Sequence, residues 1–333
     1  MRFVIDLRSD TLTKPSAAML AALAAAEVGD EQYLEDPTTL ELERRMAELL
    51  GHEAALFLPT ATMANQAALR SQTQPGGVLL AEERTHVLVY EWGGPAIHSG
   101  LIMRGVPARR GRVTPAHVWA ENDPDLGPGG IVVLENTHRS SGGTIWPLDE
   151  YRATVDAARE RRAAVHLDGA RLFNASVGAG LAPSAWSALA DSVTICFSKG
   201  LGCPLGAVLA GSRALIERAW ESKYLFGGAL RQSGVIAATM LYALDHNVER
   251  LADDHARARR LAEGIGAESP ETNFVSIPDE PGLEGRLREH GVLVGNLRPG
   301  WLRAVTHLDV SDDDVEAAIA AFAATRTAAL PAR

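Results

Sequence analysis

Short apolar segments alternate with helix-like segments through the middle of the chain. Three of them, at 130–136, 163–171 and 192–200, are continuous apolar runs that each end at polar residues. Such runs are typical of strands buried on both faces of a parallel sheet. The segment at 147–162 has a proline near its start and arginines in its last turn, which predicts a helix; 182–190 is compatible with a shorter one. The alternation predicts βαβ units with right-handed crossovers.

Segments of the same two kinds extend this pattern on both sides. The sequence predicts strands at 53–60 and 206–212, and helices at 38–51, 60–72 and 212–224. We therefore predict an α/β protein whose central sheet is mostly parallel and is flanked by helices.

The C-terminal part of the chain changes in character. Strand-like segments at 271–278, 291–295 and 301–310 are mixed there with helix-like segments at 281–291 and 311–330. This mixture predicts a smaller α+β domain. We expect the chain to divide into an N-terminal segment at 1–15, a large domain at 16–245 and the small domain at 246–333.

Composition places the chain among globular enzymes. Of its 333 residues, 46% are hydrophobic and 22% are charged, as in ordinary soluble proteins. The formal net charge of −10 argues against nucleic acid or an anionic membrane as the main partner. The two cysteines, Cys196 and Cys203, form no disulfide framework or zinc motif, which favours a cytoplasmic location. The alanine-rich segment at 17–26 is too short to span a bilayer and predicts a soluble helix.

Lysine is rare in this sequence, and one lysine stands at the end of a predicted strand. Among 32 basic residues there are three lysines, Lys14, Lys199 and Lys223. A desolvated amine can lose its proton and attack a carbonyl to form a Schiff base, which a guanidinium cannot do. A lysine that caps a strand or pairs with a surface acid is the alternative to a reactive Lys199. The residues near Lys199 in the fold distinguish a reactive lysine from a structural one.

Other polar residues follow predicted strands at the same edge of the sheet. Asp168 and Glu135 each end a strand, and Thr60–Thr62 stand where a strand leads into a helix. Ligands bind beyond the carboxyl ends of such strands, and a helix N-terminus suits a phosphate. A reactive lysine, a carboxylate and a phosphate site match the aldehyde, ring nitrogen and phosphate of pyridoxal 5′-phosphate. The chain has no dinucleotide fingerprint, Walker motif or H-E-x-x-H, and no metal site is expected.

A series of motifs runs through nearly the whole chain. They are DLRSDTLTKPS (6–16), VGDEQYLEDPTTLELE (28–43), TMANQ (62–66), THVLVYEWGG (85–94), ENTH (135–138), HLDGARLFNA (166–175), SKGLGCPLG (198–206), RQSG (231–234) and RAVTHLDVS (303–311). In content and order they resemble those of the low-specificity L-threonine aldolases, which are fold type I pyridoxal-phosphate enzymes. The resemblance implies that the large domain binds the cofactor. It also implies cleavage of L-threonine, L-allo-threonine and related β-hydroxy-α-amino acids to glycine and an aldehyde.

The resemblance implies roles for individual residues. Lys199 would carry the cofactor as a Schiff base, and Asp168 would pair with its pyridine nitrogen. Arg171 would reach the ring hydroxyl and the substrate side of the site. His86 would stack on the ring and position or deprotonate the β-hydroxyl of the substrate. His166 would support the carboxylate of Asp168 from the same strand.

Further residues are implied on the substrate and phosphate sides. Ser9 and Arg303, with Arg171, would bind the substrate carboxylate, which the planar guanidinium fork suits. Backbone amides of Thr60–Thr62 would hold the phosphate, together with Arg231 from a neighbouring subunit. The resemblance therefore implies a homo-oligomer, a tetramer built from two dimers.

The sequence departs from the family pattern at three places. Ala61 stands between Thr60 and Thr62 where the family usually has glycine, and its methyl group crowds a close approach of phosphate. Tyr224 occupies a position where some members have a lysine. The segment at 121–130 lacks a histidine that some members place there, so recognition of the β-hydroxyl is expected to depend on His86.

Two alternatives remain open at this point. Another pyridoxal-phosphate reaction on the same scaffold, such as β-elimination, racemisation or transamination, would be distinguished by the products formed from threonine. A catalytically silent cofactor-binding or regulatory protein would be expected to lack part of the site. Lys199, Asp168, Arg171 and His86 are all present.

Overall fold

The fold contains two sheets of different size. The computed structural model describes residues 4–120, 126 and 129–327 of the chain. Within that part the strands are, in chain order, β1 (Ile5–Leu7), β2 (Ala54–Leu58), β3 (Val78–Glu82), β4 (Ile102–Val106), β5 (Ile131–Glu135), β6 (Ala164–Gly169), β7 (Ser192–Cys196), β8 (Ala207–Gly211), β9 (Phe274–Pro278), β10 (Val292–Arg298) and β11 (Trp301–Val305).

The larger sheet has seven strands in the order β2-β8-β7-β6-β5-β3-β4. Strand β8 runs antiparallel to both of its neighbours, and the other neighbouring pairs are parallel. Every residue of β3, β5, β7 and β8 is buried. This burial on both faces explains the continuous apolar runs and confirms the predicted, mostly parallel sheet.

Helices flank both sheets and connect their strands. In chain order they are α1 (Ala17–Ala24), α2 (Pro37–Leu50), α3 (Ala61–Gln72), α4 (His86–Val89), α5 (Gly94–Ser99), α6 (Pro115–Val118), α7 (Leu148–Glu160), α8 (Leu172–Ala179), α9 (Ser184–Ser187), α10 (Arg213–Leu225), α11 (Gly234–His246), α12 (Leu251–Ile265), α13 (Leu283–Glu289) and α14 (Asp312–Thr327). Helix α2 begins and ends at residues that are typical of helix termini. The Asp36 side chain accepts a hydrogen bond at its N-terminus, and Gly51 ends it with a φ of 72°. No described helix is long and apolar enough to cross a membrane.

The smaller sheet has four strands in the order β1-β10-β11-β9. Strand β1 pairs in parallel with β10, and the remaining pairs are antiparallel. Helices α12, α13 and α14 pack with this sheet around a separate apolar cluster. The predicted N-terminal segment therefore adds a strand to the C-terminal α+β unit, a long-range pairing that three residues cannot signal by periodicity.

Some elements differ from their predicted bounds. Strands β3 and β4 were not predicted from the sequence, although β3 is wholly buried in the large sheet. Strand β7 ends at Cys196, so Lys199 lies in the following loop and not at the end of the strand itself. The helix predicted at 182–190 is the single turn Ser184–Ser187.

The burial pattern of α2 allows a matched test of the core. Leu42 is fully buried and Leu40, two residues earlier in the same helix, is 42% exposed. We expect Leu42→Ala to lower the free energy of unfolding by about 2–5 kcal/mol because it leaves a cavity. Leu40→Ala should change it by only about 0.5 kcal/mol. Urea unfolding of the two variants measures both values, and equal losses would contradict this assignment of the buried face.

Candidate active site

A cavity of about 230 Å³ lies at the carboxyl edge of the large sheet, where the N-terminal segment and the small domain approach it. It is lined by seven residues that the sequence analysis predicted for the site: Ser9, Ala61, His86, Asp168, Arg171, Lys199 and Arg303. Strands β5, β6 and β7 and the start of α3 meet at this edge. The remaining lining residues are Thr11, Asn65, Tyr90, Glu135, Thr137, Arg139 and Ala170.

Asp168 is a buried carboxylate at the end of β6. One of its oxygens accepts a hydrogen bond from Ala170 N (3.0 Å) and the other from Asn65 Nδ2 (2.9 Å). Burial alone would raise the pKa of Asp168, but the positive charges of His86 and Lys199 and the Asn65 hydrogen bond hold it below its usual value. The carboxylate is therefore kept in its ionised form.

Asn65, on α3, connects two further polar groups to this carboxylate. Its Oδ1 accepts a hydrogen bond from His166 Nε2 at 3.0 Å, and its Nδ2 donates to Glu91 Oε1 at 2.8 Å as well as to Asp168. The other ring nitrogen of His166 accepts from the Ser192 hydroxyl. Burial lowers the pKa of His166 to about 4, so the ring is neutral. The predicted support of Asp168 by His166 is thus indirect and passes through Asn65.

His86 is the first residue of α4 and its ring meets a buried carboxylate. Nδ1 donates to Glu91 Oε1 at 2.8 Å, and the backbone N–H donates to Glu135 Oε2 at 2.7 Å. Burial favours the neutral ring, but the hydrogen bond and charge of Glu91, with the charges of Asp168 and Glu135, raise the pKa of His86 above its usual value. Because Nδ1 is engaged, Nε2 is the nitrogen available to a ligand.

Two arginines with different environments line the small-domain side. Arg171 donates from Nε and Nη2 to the two carboxylate oxygens of Asp10, at 2.7 and 2.5 Å. Arg303, on β11, is 8% exposed, and its Nε and Nη1 are buried without a hydrogen-bond partner among the described residues. Since an unpaired buried guanidinium is costly, Arg303 is the better prepared of the two to bind an anion from outside the chain.

The start of α3 forms the other end of the site. The Thr60 side chain caps the helix by accepting a hydrogen bond from Met63 N at 3.1 Å. The two preceding amides, of Ala61 and Thr62, have no carbonyl partner within the helix. Thr60 and Thr62 line a neighbouring cavity of about 560 Å³, whereas Ala61 lines the cavity of Lys199. Arg231 lines neither of these two cavities; it is 58% exposed and pairs with Asp30 at 3.1 Å.

Three residues that organise the site were not predicted from the sequence. Asp10, Asn65 and Glu91 are each nearly or fully buried and hold Arg171, Asp168 and His86. All three lie within the sequence motifs described above. The local pattern does not show which of the two or three neighbouring polar side chains is buried. The segment at 121–130, which lacks the histidine that some family members have, lies mostly outside the described residues.

Three of these side chains also have the arrangement of a metal site. His86, Glu91 and Asp168 place ligand atoms within 4.8 Å of one another. The same atoms already exchange hydrogen bonds, since Glu91 accepts from His86 and Asn65 links Glu91 to Asp168. We interpret the group as a hydrogen-bonded network that orients His86.

Comparison with known proteins identifies relatives that match almost the entire chain. The profile of the family described as "Beta-eliminating lyase" matches residues 6–273. The chain is 40% identical over 325 residues to "Low specificity L-threonine aldolase" of Escherichia coli (strain K12), covering 94% of this chain and 96% of that protein. It is 37% identical over 340 residues to "Probable low-specificity L-threonine aldolase 2" of Arabidopsis thaliana, covering 96% of each.

Solved structures agree with this assignment at the level of the fold. The threonine aldolase of Leishmania major superposes with a TM-score of 0.84 at 19% identity, covering 96% of this chain and 99% of that one. The likeness confirms the predicted architecture of a mostly parallel sheet with a small α+β domain. From the family match and the identity to its relatives, the chain belongs to the beta-eliminating lyase family and, within it, to the low-specificity L-threonine aldolases.

Proposed function

We propose that the protein is a pyridoxal-phosphate-dependent aldolase. It cleaves L-threonine, L-allo-threonine and related β-hydroxy-α-amino acids to glycine and an aldehyde. The observation that carries this proposal is the convergence of Lys199, Asp168, His86 and Arg303 on one cavity, in a chain of this family.

The residues around the cavity fit the cofactor. Lys199 would hold it covalently through its amine, and the ionised carboxylate of Asp168 would face the ring nitrogen and keep it protonated. The free amides at the start of α3 suit the phosphate. The methyl group of Ala61 leaves less room for the phosphate than a glycine would, but the backbone N–H donor is retained. When bound, pyridoxal phosphate supplies an electron sink for the pair of electrons left at Cα when the Cα–Cβ bond breaks.

Arg303 and His86 would act on opposite ends of the substrate. The unpaired donors of Arg303, with the Ser9 hydroxyl, would bind the α-carboxylate and so orient the bond to be broken. Nε2 of His86 would accept the proton of the β-hydroxyl, and the Glu91 carboxylate would stabilise the imidazolium that results. Arg171 would contribute the two N–H groups of Nη1, because Nε and Nη2 are paired with Asp10.

A homo-oligomer would complete the site. Several large apolar side chains are exposed, and two of them, Ile97 (73%) and Leu225 (64%), line the same cavity as Thr60 and Thr62. Exposed apolar side chains that are grouped in this way mark an interaction surface. Arg231 would then reach the phosphate of a neighbouring subunit, within a tetramer of two dimers. The two free, buried thiols support a cytoplasmic location for this assembly.

The proposed role of Lys199 has a conservative test. We expect the purified protein to release equal amounts of acetaldehyde and glycine from L-threonine, with a rate that rises when pyridoxal phosphate is added. Lys199→Arg should reduce the rate of threonine cleavage to that measured without enzyme, because a guanidinium cannot form the covalent link to the cofactor. Lys14→Arg, the same change at an exposed lysine, should keep the rate. Borohydride treatment and peptide mapping should find the cofactor on Lys199; an adduct on Lys14 or Lys223 would contradict the assignment.

The proposed role of His86 predicts a pH dependence. A base must be unprotonated to act, so the rate should rise with pH through the raised pKa of His86. Glu91→Gln removes the negative charge that raises this pKa while keeping the size of the side chain. We therefore expect the rise to move to lower pH and kcat at the optimum to fall at least about tenfold.

A second buried histidine–glutamate pair provides the control for this experiment. His138 Nε2 lies 3.0 Å from Glu82 Oε2, and neither residue lines the cavity of Lys199. Glu82→Gln should leave the pH midpoint of threonine cleavage in place. If Glu91→Gln also left it in place, His86 would not be the group that titrates.

The proposed crossing of Arg231 between subunits can be tested by mixing variants. Lys199→Arg and Arg231→Ala should each be poorly active, for different reasons. A hybrid dimer contains one subunit of each variant. If Arg231 acts on the neighbouring subunit, the site that keeps Lys199 receives an intact Arg231 from the other subunit. We therefore expect subunit exchange to restore activity that neither parent shows, in a particle whose light-scattering mass is a multiple of 35.5 kDa. Mixing without recovery, or a fully active monomer, would refute the crossing.

A further inference from the structure

One guanidinium of the cavity has no role in the proposed reaction of threonine. Arg139 lines the cavity with Lys199 and Arg303. Its Nη1 donates to Tyr90 Oη at 2.5 Å, and its Cζ lies 4.4 Å from the centre of the Tyr90 ring. Within the described part of the chain its guanidinium forms no ion pair with a carboxylate. Arg139 is thus a half-buried cation that faces the cavity without a negative partner.

The other arginines of the cavity have their charges accounted for. Asp10 neutralises Arg171, and the α-carboxylate of the substrate would neutralise Arg303. Burial lowers the pKa of Arg303 to about 10, and the charges of Arg139 and Arg171 contribute to this shift. Arg139 therefore lies close enough to repel Arg303, so a second anionic group in the ligand would relieve this repulsion.

Arg139 is held on the side of the cavity where the β-carbon of the substrate would lie. The carboxylate of Glu135 accepts hydrogen bonds from the backbone N–H groups of both His86 and Arg139, each at 2.7 Å. Tyr90, on which Arg139 stacks, has its ring centre 5.4 Å from that of His86. The residue proposed to receive the β-hydroxyl proton and the unpaired cation are therefore fixed next to each other by one buried acid.

From this placement we propose that the site takes β-hydroxy-α-amino acids that carry a carboxylate on Cβ, with Arg139 as the residue that recognises this second carboxylate. This inference rests on the proposed function. For 3-hydroxyaspartate, the Cα–Cβ bond breaks, the hydroxyl proton leaves for His86, and the electron pair remains at Cα, which takes up a proton. The products are glycine and glyoxylate, whose atoms together equal those of the substrate, so no oxidant or reductant is needed.

Kinetics with two substrates tests the proposal. We expect the loaded wild-type enzyme to cleave L-3-hydroxyaspartate with a kcat/KM at least equal to that for L-threonine. Arg139→Gln should lower the ratio of these two values by about 10- to 100-fold, the effect of losing a hydrogen bond to a charged group. Arg139→Lys should recover part of the ratio because it restores the charge. Appearance of glyoxylate and glycine in equal amounts identifies the reaction.

Equilibrium binding supplies a readout that does not depend on turnover. L-Aspartate has the second carboxylate but no β-hydroxyl, and L-2-aminobutyrate has neither. We expect calorimetric titration to show that the wild-type enzyme binds L-aspartate more tightly than L-2-aminobutyrate. Arg139→Gln should reduce the ratio of the two dissociation constants by the same factor by which it reduces the ratio of the kcat/KM values.

The possible results separate this inference from the proposed function. Wild-type enzyme that cleaves threonine but leaves the Cα–Cβ bond of 3-hydroxyaspartate intact would overturn the inference alone. Equal losses for both substrates in Arg139→Gln would also overturn it, because Arg139 would then contact the α-carboxylate. Failure to cleave either substrate would overturn the proposed function. A preference for L-aspartate that is unchanged in Arg139→Gln would overturn the role of Arg139 whatever the reaction.

Discussion

The ionised carboxylate of Asp168, buried at the edge of a sheet that is apolar on both faces, is the constraint on which the site depends. A buried charge is tolerated only when hydrogen bonds and opposite charges surround it. Asn65 uses both hydrogens of its amide group for this purpose, one toward Asp168 and one toward Glu91. The carboxylate that would face the cofactor and the one that orients His86 are therefore parts of a single network.

This network links chemistry to the packing of the large domain. His166, on the same strand as Asp168, fixes Asn65 and is itself fixed by Ser192 on the next strand. A substitution at Ser192 would reach the cofactor side only through two intermediate side chains. Polar networks of this kind make the orientation of the reacting groups depend on the pairing of β6 with β7.

The arginines show how pairing within the chain divides similar residues between roles. Asp10 occupies Arg171, so in the proposed reaction the substrate carboxylate would be bound chiefly by Arg303. Among the described residues, the guanidinium of Arg139 contacts the ring and hydroxyl of Tyr90 and pairs with no carboxylate. Since Asp10 neutralises Arg171, Arg303 and Arg139 are the two guanidinium groups of the cavity that are left to attract an anion. Which arginine meets which anion is decided by where the acidic side chains lie, and Asp10 lies 161 positions from Arg171 in sequence.

The class of fold and many of the residues that line the cavity could be predicted from the sequence. Continuous apolar runs give buried strands, and the carboxyl ends of parallel strands meet at one edge, so Lys199, Asp168 and the start of α3 could be placed together without coordinates. Long-range pairing and the partners of buried polar groups could not be predicted in this way, because periodicity reflects only local burial. Pairing of β1 with β10 joins residues at the two ends of the chain, and the inward turn of Asn65 and Glu91 depends on burial against distant elements. Local patterns record which residues avoid water, whereas the partner of each buried polar group is set only when the chain has folded around it.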